Sequence, residues 1–174
     1  MFVRDYLTKH SLFNSLMALP FVLFFGQNAK AQQKPPRPIE VIVNPAQGLI
    51  FGAFYQGVSG GTVTVYSNGT RSVGGDIIQA NLGYPFSPAI FEVEALPGTL
   101  ISILNGPDIT LYGSNGGSMN LHIGESSRGS SFITNAVAPS TTQFALGGTL
   151  TVGNPLANPR GNYSGSFTVT FIQE

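Results

Sequence analysis

Past residue 31 histidine occurs once, at His122, inside the run Ser118-Met119-Asn120-Leu121-His122-Ile123. Hydrolytic triads need an imidazole held by a carboxylate beside a nucleophile. In this alternating run Leu121 and Ile123 take the core face, so His122 is predicted to point into solvent without a catalytic role. Cysteine is absent, which removes thiol nucleophiles and thiolate metal sites. Glu92 and Glu94 form a close acidic pair; two residues apart on a strand they share one face, about 7 Å from each other. Glycoside-cleaving carboxylates instead flank a cleft from separate elements, so this pair reads as the outer face of a strand. Asp108 could join loop carbonyls around calcium, but it lacks the clustered carboxylates of a strong site. No enzymatic activity, cofactor or metal is therefore expected.

The remaining candidates are aromatic. Tyr55, Tyr66, Tyr84, Tyr112 and Tyr163 would make a sugar-stacking platform if several shared one exposed face, as in a carbohydrate-binding module. Packing in a core or at a strand edge is the commoner fate of such residues. Charged residues are only 9% of the chain, against about 25% in ordinary soluble domains. Beyond residue 31 the basic residues are Lys34, Arg37, Arg71, Arg128 and Arg160. They form no cluster in sequence, whereas a nucleic-acid partner requires several cations on one surface. No nucleic-acid partner is expected.

The elements that must position these residues repeat every two positions. Ile39, Val41 and Val43 alternate, as do Val63 and Val65, Phe91, Val93 and Ala95, Leu121 and Ile123, Leu150 and Val152, and Phe167, Val169 and Phe171. This is the pattern of half-buried strands. Turn signals separate the runs: Asn44-Pro45, Ser67-Asn68-Gly69, Gly74-Gly75, Pro97-Gly98, Asn105-Gly106-Pro107-Asp108, Asn115-Gly116-Gly117 and Asn158-Pro159. No window past residue 31 has a helical period. The polar stretch from Ser126 to Thr142 has room for a short strand at Phe132-Ile133, a long loop, or both. The expected fold is all-β, a single antiparallel sandwich of immunoglobulin-like character, with a β-barrel as runner-up.

Residues 1–31 have a different organisation. Arg4, Lys9 and His10 precede an apolar run from Leu12 to Phe25, and Ala29 and Ala31 occupy the small positions of a cleavage site. This is the layout of a secretory signal, with cleavage expected after Ala31. The run is shorter than the roughly 20 residues of a spanning helix, so no transmembrane span is expected after cleavage. Residues 32–38 carry Pro35, Pro36 and Pro38 and read as an extended leader. The sandwich domain is expected over 39–174, exported to the periplasm, the cell surface or the medium.

Four segments carry a family resemblance: Leu49-Ile50-Phe51-Gly52-Ala53-Phe54, Gly60-Gly61-Thr62-Val63-Thr64-Val65, Leu146-Gly147-Gly148-Thr149-Leu150-Thr151-Val152, and Gly161-Asn162-Tyr163-Ser164-Gly165-Ser166-Phe167-Thr168-Val169-Thr170. In order and spacing they resemble the bacterial exported domain-of-unknown-function 4402 family. The resemblance implies a secreted β-sandwich and supplies no activity. More loosely, Tyr163, Phe167, Val169 and Phe171 near the end of the chain resemble the last strand of chaperone–usher pilus subunits, whose sandwiches are completed by a neighbour's strand. An interface for strand addition would then comprise Ile39, Val41, Val43, Tyr163, Phe167, Val169 and Phe171. The alternative is that these are the first and last strands of a self-contained domain. The expected function is that of a non-enzymatic structural or surface-interaction protein. Its expected partners are other copies of itself or cell-surface proteins. A pilus- or fimbria-type subunit and a carbohydrate-binding module are the rival readings.

Overall fold

The computed structural model describes residues 47–137 and 139–174, together with the backbone of residues 40–43. Among them lie eleven strands and no helix: β1 (Glu40–Val43), β2 (Phe54–Val65), β3 (Arg71–Gln79), β4 (Ala89–Glu94), β5 (Leu100–Asn105), β6 (Ile109–Gly113), β7 (Ser118–Ser126), β8 (Ser131–Ile133), β9 (Thr142–Val152), β10 (Tyr163–Ser164) and β11 (Val169–Gln173). They form two antiparallel sheets, one of eight strands and one ordered β11-β5-β8. The molecule is an all-β sandwich in which a large sheet faces a small one. Phe132 and Ile133 do belong to a short strand, β8.

Strand β9 organises the large sheet. β7 pairs along one of its edges, and the other edge is shared. β4 takes Thr142 to Leu146, and β2 takes Gly148 to Val152. The handover falls at Gly147, where a Cβ would run into the Val65 carbonyl and meet Ser67 N at 2.9 Å. A glycine is needed here because the end of β2 closes directly onto the β9 backbone.

The alternation read from the sequence sets the core. Val63, Val65, Phe91, Val93, Leu121, Ile123, Phe144, Leu146, Leu150 and Val152 of the large sheet are buried with Ile101, Ile103 and Phe132 of the small one. Full burial of each such side chain is worth about 1.5–3 kcal/mol. An aromatic seam joins the layers. Phe144 stacks on Phe91 at 5.4 Å and meets Phe132 at 5.6 Å and Phe171 at 5.5 Å between ring centroids. Arg71 also works structurally: its Nη1 donates to Phe51 O at 2.8 Å, and its guanidinium lies 4.6 Å from the Phe86 ring centroid.

Two expectations are corrected. Gly74-Gly75 is not a turn but lies inside β3. It sits at the register shift where β2 bulges between Gln56 and Gly61. Gly75 has φ +68°, and a Cβ there would stand 2.8 Å from Gly60 O and from Gly61 Cα. The bulge and a hairpin turn ask for the same residue type. The Gly161–Phe171 run is likewise not one strand. Tyr163–Ser164 pairs with β6 in the large sheet, whereas Val169–Gln173 pairs with β5 in the small one. Phe167 lies in the crossing segment between them.

Candidate functional site

The outer face of the large sheet carries the polar residues. Where β2, β9 and β7 lie side by side, register aligns Ser72, Thr64, Thr149 and His122 in one row across β3, β2, β9 and β7. The next row holds Gly74, Thr62, Thr151, Asn120 and Thr110. Each outward residue follows from its neighbours: Val63, Val65, Leu121, Leu150 and Val152 are buried, so strand parity turns the residues between them outward. Thr64 Oγ1 and Thr149 Oγ1 are 3.0 Å apart, and Tyr66 Oη lies 3.1 Å from Ser72 Oγ.

Asp108 immediately precedes β6. The hairpin register that pairs Ile109 with Leu121 and Thr110 with Asn120 carries on to set Asp108 against His122. Its Oδ1 is 2.7 Å from His122 Nδ1, and its Oδ2 accepts from Asn120 Nδ2 at 3.2 Å. Hydrogen bonds from His122, then from Asn120, hold the Asp108 carboxyl below its ordinary value of 3.8. The ionised carboxylate can only accept, so Nδ1 carries the proton and Nε2 is left for a ligand. The pair is exposed, at 66% for His122 and 48% for Asp108. Sequence reasoning placed His122 outward correctly and missed its carboxylate partner; the signal lies in the hairpin register.

The arrangement supplies two members of a triad and not the third. No hydroxyl is hydrogen-bonded to His122 among the described residues, and the hydroxyl of its cross-strand neighbour Thr149 is engaged with Thr64. No group of three or more metal-ligating side chains is gathered among the described residues. A depression of about 340 Å³ between β5 and the end of β7 is lined by Ile103, Asn105, Glu125, Ser126, Gly129 and Ser130, none of which belongs to the polar rows. Glu92 and Glu94 are half-buried on β4, and Glu92 accepts from Gln143 Nε2 at 3.4 Å.

The residues proposed for strand addition separate into two groups. Ile39 lies outside the described residues. The backbones of Val41 and Val43 pair with Val93 and Phe91 of β4. Tyr163 is half-buried, and its Oη donates to Pro159 O at 2.7 Å. Phe167 meets Phe91 edge-on at 6.4 Å, and Val169 and Phe171 pack against the core from β11. Phe91 thus touches the C-terminal aromatics while its backbone pairs with the first strand. Of the remaining tyrosines, Tyr55, Tyr66, Tyr84 and Tyr112 are exposed. Tyr66 and Tyr112 share the outer face of the large sheet, at opposite corners of the polar rows, so they form no joint platform.

Fold and face together define a class: a cysteine-free antiparallel sandwich whose large sheet has a hydroxyl- and amide-rich outer face. Within that class the chain belongs to the family described as Domain of unknown function (DUF4402), whose model matches residues 41–172. No curated protein and no solved structure matches the chain. Among the described residues, no helix is long and apolar enough to cross a membrane.

Proposed function

We propose that this chain is an exported, non-enzymatic structural or surface-interaction protein that acts in the periplasm, at the cell surface or in the medium. The observation that carries the reading is the polar outer face of β2, β9, β7 and β6. It displays oriented hydrogen-bonding groups on an open, solvent-facing sheet, and no hydroxyl is hydrogen-bonded to its imidazole–carboxylate pair among the described residues. Such a face suits recognition of an extended surface better than chemistry on a sequestered substrate. Export is supported by the signal-like residues 1–31. The test is expression of the full chain in a bacterial host, with N-terminal sequencing of the exported product and co-sedimentation with envelope fractions. Cleavage after Ala31 and co-sedimentation are the expected results. An uncleaved cytoplasmic chain, or one that never sediments with envelopes, would count against the reading.

A second reading, a pilus- or fimbria-type subunit, draws on the two ends of the domain. β1 is an edge strand whose described partner is β4, and β11 is an edge of the small sheet. An edge filled by one chain's first strand can be filled by the same strand from a neighbour. Pairing of β1 within its own chain favours the self-contained domain. Size-exclusion chromatography of chains beginning at Gln32 and at Pro45 separates the two. Concentration-independent monomers in both forms would eliminate strand exchange.

A further inference from the structure

We infer that the outer face of β6, β7 and β9 is a binding surface for a neutral polysaccharide, with Tyr112 as the stacking ring and Asn120, His122 and the Thr151 hydroxyl as its hydrogen-bonding partners. The inference rests on the surface-interaction reading above and names the ligand class of that face.

A sugar ring presents a C–H face and a rim of hydroxyls, and it needs an uncovered aromatic plane beside rigid donors and acceptors. Tyr112 is 69% exposed. Its cross-strand partners are serines on both sides, Ser118 of β7 and Ser164 of β10, too small to cover the ring. An exposed tyrosine alone means little; its neighbours give this one significance. Asn120 is its diagonal neighbour on β7, about 7–8 Å away. Asn120 gives one amide hydrogen to Asp108 and retains its second hydrogen and its carbonyl oxygen for a ligand. His122, fixed by the other Asp108 oxygen, offers Nε2.

The face is ordered before any ligand arrives. One carboxylate orients both side chains, and β-branched threonines are stiff at χ1, so little rotamer entropy is lost on binding.

Charge and composition select the ligand class. In the two polar rows and at Tyr112 the ionisable groups of charge-bearing type are Asp108 and His122, which face each other. An anionic polymer would require Lys or Arg here. A protein partner favours an apolar centre to its interface, and Thr110, Ser118, Asn120, His122, Thr149 and Thr151 supply no large aliphatic side chain. A neutral, hydroxyl-rich chain matches both features.

Native gel retardation tests the assignment, with the full chain run through gels containing dextran, a soluble β-glucan or galactomannan, and alginate as the anionic comparison. Retardation by at least one neutral polymer and not by alginate is expected. Tyr112→Ala and Asn120→Ala should each weaken it at least tenfold, and Tyr112→Phe should keep it. Ile133→Ser, on the small sheet, should leave it unchanged. Retardation by none of the neutral polymers, or retardation indifferent to Tyr112→Ala and Asn120→Ala in chains with unaltered circular dichroism, overturns the inference. If envelope co-sedimentation persists without retardation and is lost on protease treatment of the envelopes, the ligand is a protein: the polysaccharide assignment falls and the surface-interaction reading stands. Loss of co-sedimentation itself overturns that underlying reading.

Discussion

Asp108 Oδ1 lies 2.7 Å from His122 Nδ1 across the β6–β7 hairpin, and the same carboxylate accepts from Asn120 at 3.2 Å. One acid at the start of a strand therefore orients two outward side chains of its neighbour.

The pH behaviour of this cluster follows from the direction of the shift. The Asp108 carboxyl is held below 3.8, chiefly by His122 and then by Asn120. A depressed folded value means that the ionised form favours the folded state at pH above 3.8, and that the contribution fades as pH falls through the folded value. Carboxyl-carbon NMR should find the Asp108 midpoint below 3.8. His122→Ala should move it upward more than Asn120→Ala does. A wild-type midpoint at or above 3.8 would contradict the geometry.

Phe144 is the ring on which the two sheets meet, in contact with Phe91, Phe132 and Phe171. Phe144→Ala should cost about 3–5 kcal/mol, the transfer term plus a residual cavity. Urea denaturation of the variant should show an earlier midpoint, whereas Ile133→Ser on the exposed face should stay within about 0.5 kcal/mol of wild type.

At Gly147 the limit is steric. Gly147→Ala would press a Cβ against the Val65 carbonyl, with an expected loss of about 1–3 kcal/mol. Gly48→Ala is the control, because nothing lies within 4 Å of a Cβ built there. Thermal melts of the two variants should differ clearly; equal melting temperatures would show that β2 can retreat from β9 at little cost.

Asn158, 2% exposed, ties the segment after β9 to the hairpin. Its Oδ1 accepts from Gly153 N, its Nδ2 donates to Ser118 O, and its own carbonyl accepts from Gln56 Nε2 at 2.7 Å. Asn158→Ala leaves the Gly153 amide and the Ser118 carbonyl without those partners, for an expected loss of about 1–3 kcal/mol. Hydrogen exchange at Gly153 should accelerate in the variant, and an unchanged rate would show that another acceptor replaces the side chain.

Which residues face inward is a local property, legible in the order of the residues alone. Val63 and Val65, Leu121 and Ile123, and Leu150 and Val152 are buried as their alternation requires, because side chains of a strand alternate whatever lies beside it. The outward direction of His122 follows in the same way. Partnership between strands is not local and emerges only when the sheets close on their core. Alternation at Tyr163 and at Phe167 to Phe171 looks continuous in sequence, yet the chain crosses from one sheet to the other between them. Parity is the same in either layer. Gly74-Gly75 carries a turn signal that a bulge satisfies equally well. Asp108 and His122 are joined by a hairpin register, and Thr64 and Thr149 by the pairing of strands far apart in the chain. Register and distant pairing depend on how all the apolar faces close on one core, which no short window of residues contains.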